Sequence, residues 1–205
     1  MAIRPRNQGS GGRVVVRLGG LWLSLVAAVV CGASAACGDV TFEGVRLAAE
    51  RVVGGERLRL YSAGLLRAGL VFRVYAAALY LPPGGTPADL DREETAYALE
   101  IIYLRDVPAR AMIDNGLEAL AENLTAAELA AIQPQVDQLN ALYRDVKRYD
   151  RYLLTYARGW GGELLLNGRK QGRIAGWDFA RGYLSIWLGP RAASRTVRAA
   201  LLRPL

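Results

Sequence analysis

The sequence predicts an α+β domain whose sheet is mostly antiparallel. Strand-like segments form two groups along the chain, and two helical segments separate the groups. This order differs from the regular strand–helix alternation of a parallel nucleotide-binding sheet. An Asn-Gly pair at 167–168 also predicts a tight hairpin, because this dipeptide accepts the positive φ angles that such a turn requires. We therefore expect an antiparallel sheet covered by helices.

The first strand group contains the stretch 57–81, RLRLYSAGLLRAGLVFRVYAAALYL. We predict a strand over Arg57–Tyr61, a turn at Ser62–Gly64 and a longer strand over Leu70–Leu81. Neither alternating set of residues in the longer strand is polar throughout, so we expect this strand to be covered on both faces. Its three small residues Ala76–Ala78 leave space beside the strand, which indicates a closely packed helix or a cavity.

The helical segments follow from apolar spacing and from start signals. One helix is predicted to begin at Pro108, and a second begins at the capping box of Thr125 and restarts at Pro134. The other predicted strands are 45–53, 97–104, 149–157, 163–166 and 169–174, and the other predicted helices are 177–188 and 194–202.

Composition excludes several classes of function. The chain has 205 residues and no histidine, which excludes histidine-based catalysis and most zinc sites. We therefore expect no metal and no cofactor. Removing the four arginines of residues 1–35 from the 26 basic residues leaves 22 against 19 acidic residues, a net charge of +3. The arginines are scattered along the chain, and we do not expect nucleic-acid binding.

Residues 1–35 are predicted to be a signal peptide. A basic start precedes the apolar core Leu21–Val30, and Ala33-Ser34-Ala35 supplies a small-x-small cleavage pattern. The core is short for a bilayer span. We therefore expect a periplasmic or secreted protein whose mature chain, 36–205, is one domain that does not span a membrane. An uncleaved anchor and a lipid on Cys37 are the alternatives.

Four segments resemble the bacterial branch of the chalcone isomerase-like family. They are SAGLLRAGLVFRVYAAALYL at 62–81, YLRDVPARAM at 103–112, LNGRKQGRIAGWDF at 166–179 and YLSIWLG at 183–189. Together with the helices between them they span about Gly44–Leu202. The resemblance implies an open-faced β-sandwich, with a ligand cleft between the sheet and the helices that cover it.

The resemblance also implies site residues. Some members of the family close a chalcone into a flavanone, and others bind fatty acids without catalysis. In the binding members an arginine and a tyrosine hold the carboxylate, and these match Arg67 and Tyr75. Asn123 matches an asparagine of the cleft helix. Tyr75 replaces the threonine of the isomerases, and Gly116 falls where they carry a tyrosine, so no catalytic residue is assigned.

The residues before Arg67 differ from the family pattern. Ala63-Gly64-Leu65 stands where the family has Gly-Ala-Gly, and a slip of one residue would put Leu66 in the place of Arg67. The leading hypothesis is an exported, non-catalytic protein that binds a fatty acid or a similar amphipathic carboxylate. The alternatives are an isomerase (an intramolecular lyase) for a chalcone-like substrate and a module that binds another envelope protein.

Overall fold

The structure is a computed structural model that describes residues 38–69 and 71–205. The predicted signal peptide 1–35 and both cysteines lie outside the described residues. Nine strands are described: β1 (Val40–Phe42), β2 (Val45–Leu47), β3 (Glu50–Val53), β4 (Glu56–Ala68), β5 (Phe72–Leu81), β6 (Tyr97–Tyr103), β7 (Arg151–Ala157), β8 (Gly161–Leu166) and β9 (Arg169–Ile174). The helices are α1 (Ala109–Asn123), α2 (Ala126–Leu142), α3 (Trp177–Leu188), α4 (Arg195–Leu201) and a short 3₁₀ helix, Pro87–Asp91.

Strands β3 to β9 form a seven-stranded sheet in sequence order, and every neighbouring pair is antiparallel. Strands β1 and β2 form a separate hairpin. The predicted α+β class with a mostly antiparallel sheet is thus confirmed, as is the Asn-Gly hairpin between β8 and β9, where Asn167 and Gly168 both have positive φ. None of the helices in the described ranges is long and apolar enough to cross a membrane.

The turn that we predicted at Ser62–Gly64 is wrong, because β4 runs unbroken through these residues. Gly64 serves close packing: a Cβ built on it would lie 3.2 Å from the carbonyl oxygen of Val197 in α4. The Ser62 hydroxyl donates to the carbonyl of Leu201 at 2.8 Å. The actual turn comes later, at Gly69, which has a φ of +61°.

The predicted restart of the second helix at Pro134 is also wrong, since α2 continues through this residue. Proline removes one backbone hydrogen bond of a helix. Ile132, Val136 and Leu139 are buried on either side of it and hold α2 against the core. Tertiary packing therefore overrides the local break.

The sheet has two differently covered faces. On the helix-covered face, Ala77, Leu79, Leu99 and Ile101 belong to a core that α1, α2, α3 and α4 complete. On the opposite face, alternate residues of the same strands pack with the β1–β2 hairpin and with edge strand β3. The prediction that β5 is covered on both faces is therefore correct.

A bulge near the end of the β4–β5 pair breaks the alternation of side chains. Leu66 pairs with Tyr75, but the next residue, Arg67, pairs with Arg73, so that Val74 has no partner on β4. The carbonyl of Val74 instead accepts from the backbone N–H of Leu104. As a result Leu66 and Tyr75 share the helix-covered face, whereas the two arginines share the other.

Candidate ligand-binding site

A cavity of about 410 Å³ lies between the helix-covered face, α1, α3 and the loop after α3. Its lining combines apolar, aromatic and a few charged side chains: Leu66, Tyr75, Tyr103, Met112, Asn115, Gly116, Glu118, Ala119, Glu122, Tyr143, Tyr183, Ile186, Trp187, Arg191, Ala192 and Ala193. The cavity exists partly because small residues line it. Gly116 of α1 leaves room toward α3, where a Cβ would still be 3.7 Å from Ile186 Cδ1 and 3.8 Å from the Tyr183 hydroxyl.

Four tyrosines form the deep polar wall of the cavity. The rings of Tyr75 and Tyr103 meet edge to face with centroids 6.2 Å apart, and the hydroxyls of Tyr143 and Tyr183 lie 3.0 Å from each other. The rings of Tyr183 and Trp187, one turn apart on α3, are 5.9 Å apart. This wall offers neutral donors and acceptors within apolar surroundings.

Two of these hydroxyls are weakly satisfied. Tyr103 donates to the sulfur of Met112 at 2.8 Å, and a thioether is a weak acceptor. The indole N–H of Trp187 lies beside the Tyr75 hydroxyl and can only donate to it, so the phenol proton of Tyr75 has no acceptor among the residues that the structure describes. Both hydroxyls therefore have bonding capacity left for a ligand.

Burial keeps the tyrosines of the wall protonated. It raises the pKa of Tyr75 and that of Tyr143 to about 12, because the apolar surroundings disfavour the phenolate. For the same reason the pKa values of Tyr103 and Tyr183 lie well above their usual value. At neutral pH the deep wall therefore carries no charge.

The charged lining residues lie at the mouth of the cavity. Glu118, Glu122 and Arg191 are exposed to solvent. The Arg191 side chain is 70% exposed, and its Nη1 lies 3.6 Å from Oε2 of Glu122. Arg191 is thus the cation nearest to the site among the described lining residues, and it already has an acidic partner.

The structure does not bring Arg67 and Tyr75 together, in contrast to the expectation from the family resemblance. Tyr75 lines the cavity, and Leu66 stands beside it in the place expected for the arginine. Arg67 lies on the opposite face, 43% exposed, with Nη2 3.7 Å from Oε2 of Glu43. Arg73 approaches the same carboxylate at 3.6 Å. The physical reason is strand alternation: Ala63 and Leu65 face away from the helices, and so does Arg67.

Asn123 has a structural role that leaves it outside the cavity. Its amide nitrogen donates to the carbonyls of Ala119 at 2.7 Å and Arg191 at 2.8 Å. Its side-chain oxygen accepts from the backbone N–H of Arg191 at 2.9 Å. These bonds fasten the end of α1 to the loop after α3. They occupy both amide hydrogens of Asn123, so the expected ligand contact is not part of this site.

The site residues predicted from the sequence do not include four of the lining aromatic residues, Tyr103 in a predicted strand and Tyr143, Tyr183 and Trp187 in predicted helices. A signal was present in α3, where Phe179, Tyr183 and Trp187 recur at intervals of four residues and form an aromatic stripe. No group of three or more acidic, cysteine or histidine residues that would suit a metal occurs in the described ranges.

Comparison with known proteins identifies the family. A model described as chalcone isomerase-like matches residues 39–203. The chain belongs to the chalcone isomerase-like family. The resemblance stated from the four sequence segments is thereby confirmed, and so is the open-faced fold of the family, in which helices cover one side of a curled antiparallel sheet. No curated protein sequence matches the chain.

A solved structure with the same fold is the crystal structure of a fatty-acid binding protein from Arabidopsis thaliana, AtFAP1. The match has a TM-score of 0.61 and 16% sequence identity, and it covers 80% of this chain and 95% of the plant protein. At this level of identity the likeness shows a shared fold alone.

Proposed function

We propose that this chalcone isomerase-like protein is an exported, non-catalytic protein that binds a single-chain lipid, of the class that includes fatty acids and fatty alcohols, in the cavity. The cavity carries the proposal, since its volume of about 410 Å³ lies within the usual range of ligand pockets, roughly 300–1,000 Å³. Buried apolar walls would stabilise an alkyl chain by about 0.8 kcal/mol per methylene. The family and the shared fold with a fatty-acid binding protein support the choice of a lipid.

The chemistry of the lining supports a binding role over catalysis. The chain contains no histidine, and the lining carboxylates Glu118 and Glu122 are exposed at the mouth. An efficient general base needs a pKa near the working pH, whereas burial raises the pKa of Tyr75 to about 12. We therefore expect no turnover of 2′-hydroxychalcone above the uncatalysed rate.

Export is supported by the pattern of residues 1–35, in which a short apolar core precedes Ala33-Ser34-Ala35. The exported protein should have the mass of a chain that begins at Ala36. A mass that includes residues 1–35, or a lipid adduct on Cys37, would contradict this part of the proposal.

Native mass spectrometry of the protein purified from its own host tests the binding role. We expect the protein to carry an added mass in the range of a single-chain lipid. In Gly116→Leu the new side chain fills space between α1 and α3, and the added mass should be lost while the fold remains. A protein that carries no lipid and also fails to bind added long-chain fatty acids or alcohols would rule out the proposed function.

A further inference from the structure

We propose that the head group of the bound lipid is uncharged, a hydroxyl or a carbonyl, and that Tyr75 and Tyr103 hold it. This inference rests on the proposed function, since it specifies the ligand of the same cavity. It departs from the carboxylate ligand that the family resemblance implied for Arg67 and Tyr75.

An anionic head group finds no free cation among the side chains that the structure shows around the cavity. Arg191 is the one cation among the described lining residues, and Glu122 already lies beside it at the solvent-exposed mouth. With Glu118 included, the lining residues carry a net charge of −1. Moving a carboxylate from water to such a place loses hydration and gains no new ionic partner, which is strongly unfavourable.

Arg67, the arginine that the family resemblance suggested, does not supply the missing cation. Leu66 occupies the position beside Tyr75, and the guanidinium of Arg67 lies on the other side of the sheet against Glu43. Strand alternation sets this arrangement, because Arg67 follows Leu66 directly on β4 and therefore faces the other side of the sheet, as Ala63 and Leu65 do. A rotation of the Arg67 side chain would not carry it through the strand.

A cationic head group is also poorly matched. The two carboxylates near the cavity, Glu118 and Glu122, are exposed at its mouth, where an ion pair contributes little. Deeper in the cavity an ammonium group would leave water and meet neutral hydroxyls and aromatic rings, which offset part of its lost hydration but supply no counter-ion. The interior therefore disfavours either sign of charge.

The hydroxyls of Tyr75 and Tyr103 fit a neutral polar head group. Each protonated phenol is at once a donor and an acceptor. Tyr103 donates its proton to the sulfur of Met112, a weak acceptor, and the proton of Tyr75 has no acceptor within the described part of the chain, since its neighbour Trp187 is a donor. A lipid hydroxyl or carbonyl within reach of these two hydroxyls would replace weak contacts with ordinary hydrogen bonds, at little cost of desolvation.

Three ligands with a twelve-carbon chain and different head groups test the inference: 1-dodecanol, dodecanoate and dodecyltrimethylammonium. They are titrated into the wild-type chain at pH 7, below the solubility limit of the alcohol and below the concentrations at which the two ionic ligands form micelles. Dodecanol should bind at least about 10-fold more tightly than the other two. Because greater lipophilicity alone would also favour the alcohol, the deciding comparison uses hydroxyl deletions. Tyr75→Phe and Tyr103→Phe should each weaken dodecanol about 3- to 10-fold, the effect of one lost hydrogen bond.

The control for these deletions is Tyr156→Phe, which removes the hydroxyl of a buried tyrosine outside the cavity and should leave affinity unchanged. If dodecanoate or the ammonium compound binds most tightly, the inference fails while the proposed function stands. If dodecanol binds but neither tyrosine deletion weakens it, the assignment to these hydroxyls is wrong. If none of the three ligands binds, the proposed function itself fails.

Discussion

On the helix-covered face the buried polar groups that line the cavity are tyrosine hydroxyls, whereas on the opposite face a buried ion network surrounds Glu100. The Glu100 side chain is only 3% exposed. Its Oε2 lies 2.7 Å from Nη2 of Arg51 and accepts a 3.0 Å hydrogen bond from Tyr80, and its Oε1 accepts from Arg151 at 3.2 Å. The network joins strands β3, β5, β6 and β7.

The difference between the two faces indicates that a charge is buried in this fold where it has permanent partners. On the opposite face the partners of Glu100 are permanent, so its loss of hydration is offset in every folded molecule. A cavity that exchanges its contents has no such fixed partner. The helix-covered face instead carries neutral hydroxyls, which remain compatible with an apolar ligand and with an empty cavity.

Raising the pH should have the largest effect on stability, and it acts through the buried tyrosines. The folded-state pKa of Tyr75 and of Tyr143 is about 12, above the ordinary value of 10.0. Between these values the unfolded chain loses the phenol protons and the folded chain keeps them. Their contribution is therefore fully present below about pH 10 and is lost as the pH rises through 12.

Urea unfolding measured at intervals from pH 6 to pH 12 checks this expectation. The free energy of unfolding should change little between pH 7 and pH 9 and fall steeply above pH 10. In Tyr143→Phe the alkaline fall should be smaller. A curve that stays level to pH 12 would show that burial does not shift these phenols.

Removal of the charge of Glu100 should give the next largest effect. Glu100→Gln keeps the size of the side chain but leaves Arg51 and Arg151 without their carboxylate. We expect a loss of about 2–4 kcal/mol in the free energy of unfolding. This is less than for a fully buried pair, because the arginine side chains stay 24% and 34% exposed.

Dodecanol binding by the Glu100→Gln variant tests whether Glu100 acts on stability alone. Glu100→Gln should leave dodecanol binding unchanged at a temperature where the variant is folded, because Glu100 lies across the sheet from the cavity. Glu94→Gln, which removes a carboxylate from an exposed pair with Arg158, is the control and should cost little stability. A change in affinity without a change in stability would place Glu100 at the ligand site and break the contrast between the faces.

The sequence was sufficient to predict the fold because its signals were local. Alternation along β5, the Asn-Gly hairpin and the capping box at Thr125 each depend on a few neighbouring residues, and the structure has all three. The break predicted at Ser62–Gly64 is wrong because Gly64 packs against α4, which is far away in sequence. The local sequence does not distinguish a glycine that forms a turn from a glycine whose missing side chain lets a helix pack closely against the strand.

The candidate site was less predictable, since it depends on which face of the sheet each residue of β4 takes and on how the helices pack. Residue matching assigned Arg67 and Tyr75 to one ligand, but Arg67 lies on the same side as Ala63 and Leu65. Alternation along β4 would have shown this, had the strand not been divided at Ser62–Gly64. Tyr183 reaches the cavity through the packing of α3 on α1, which no local pattern reveals.

Two glycines of the helix-covered face allow a finer test of how closely this face is packed. At Gly64 an added Cβ would lie 3.1 Å from the Cβ of Ala200 and 3.2 Å from a backbone oxygen of α4. The helix must therefore shift, and Gly64→Ala should cost about 1–3 kcal/mol, as for overpacking of a core. Chemical denaturation measures this loss, and stability equal to that of the wild type would show that α4 is loosely held.

At Gly116 the same substitution should have the opposite sign and the smallest effect on stability. Its added Cβ would meet Ile186 and Tyr183 at 3.7 and 3.8 Å, which are ordinary contacts. Alanine in a helix is favoured over glycine by roughly 0.5–1 kcal/mol, so Gly116→Ala should raise the free energy of unfolding by about that amount. The methyl group also takes space from the cavity and should weaken dodecanol binding. A gain in stability together with a loss of affinity would show that the helix-covered face keeps this glycine for its ligand, whereas unchanged affinity would locate the bound lipid elsewhere.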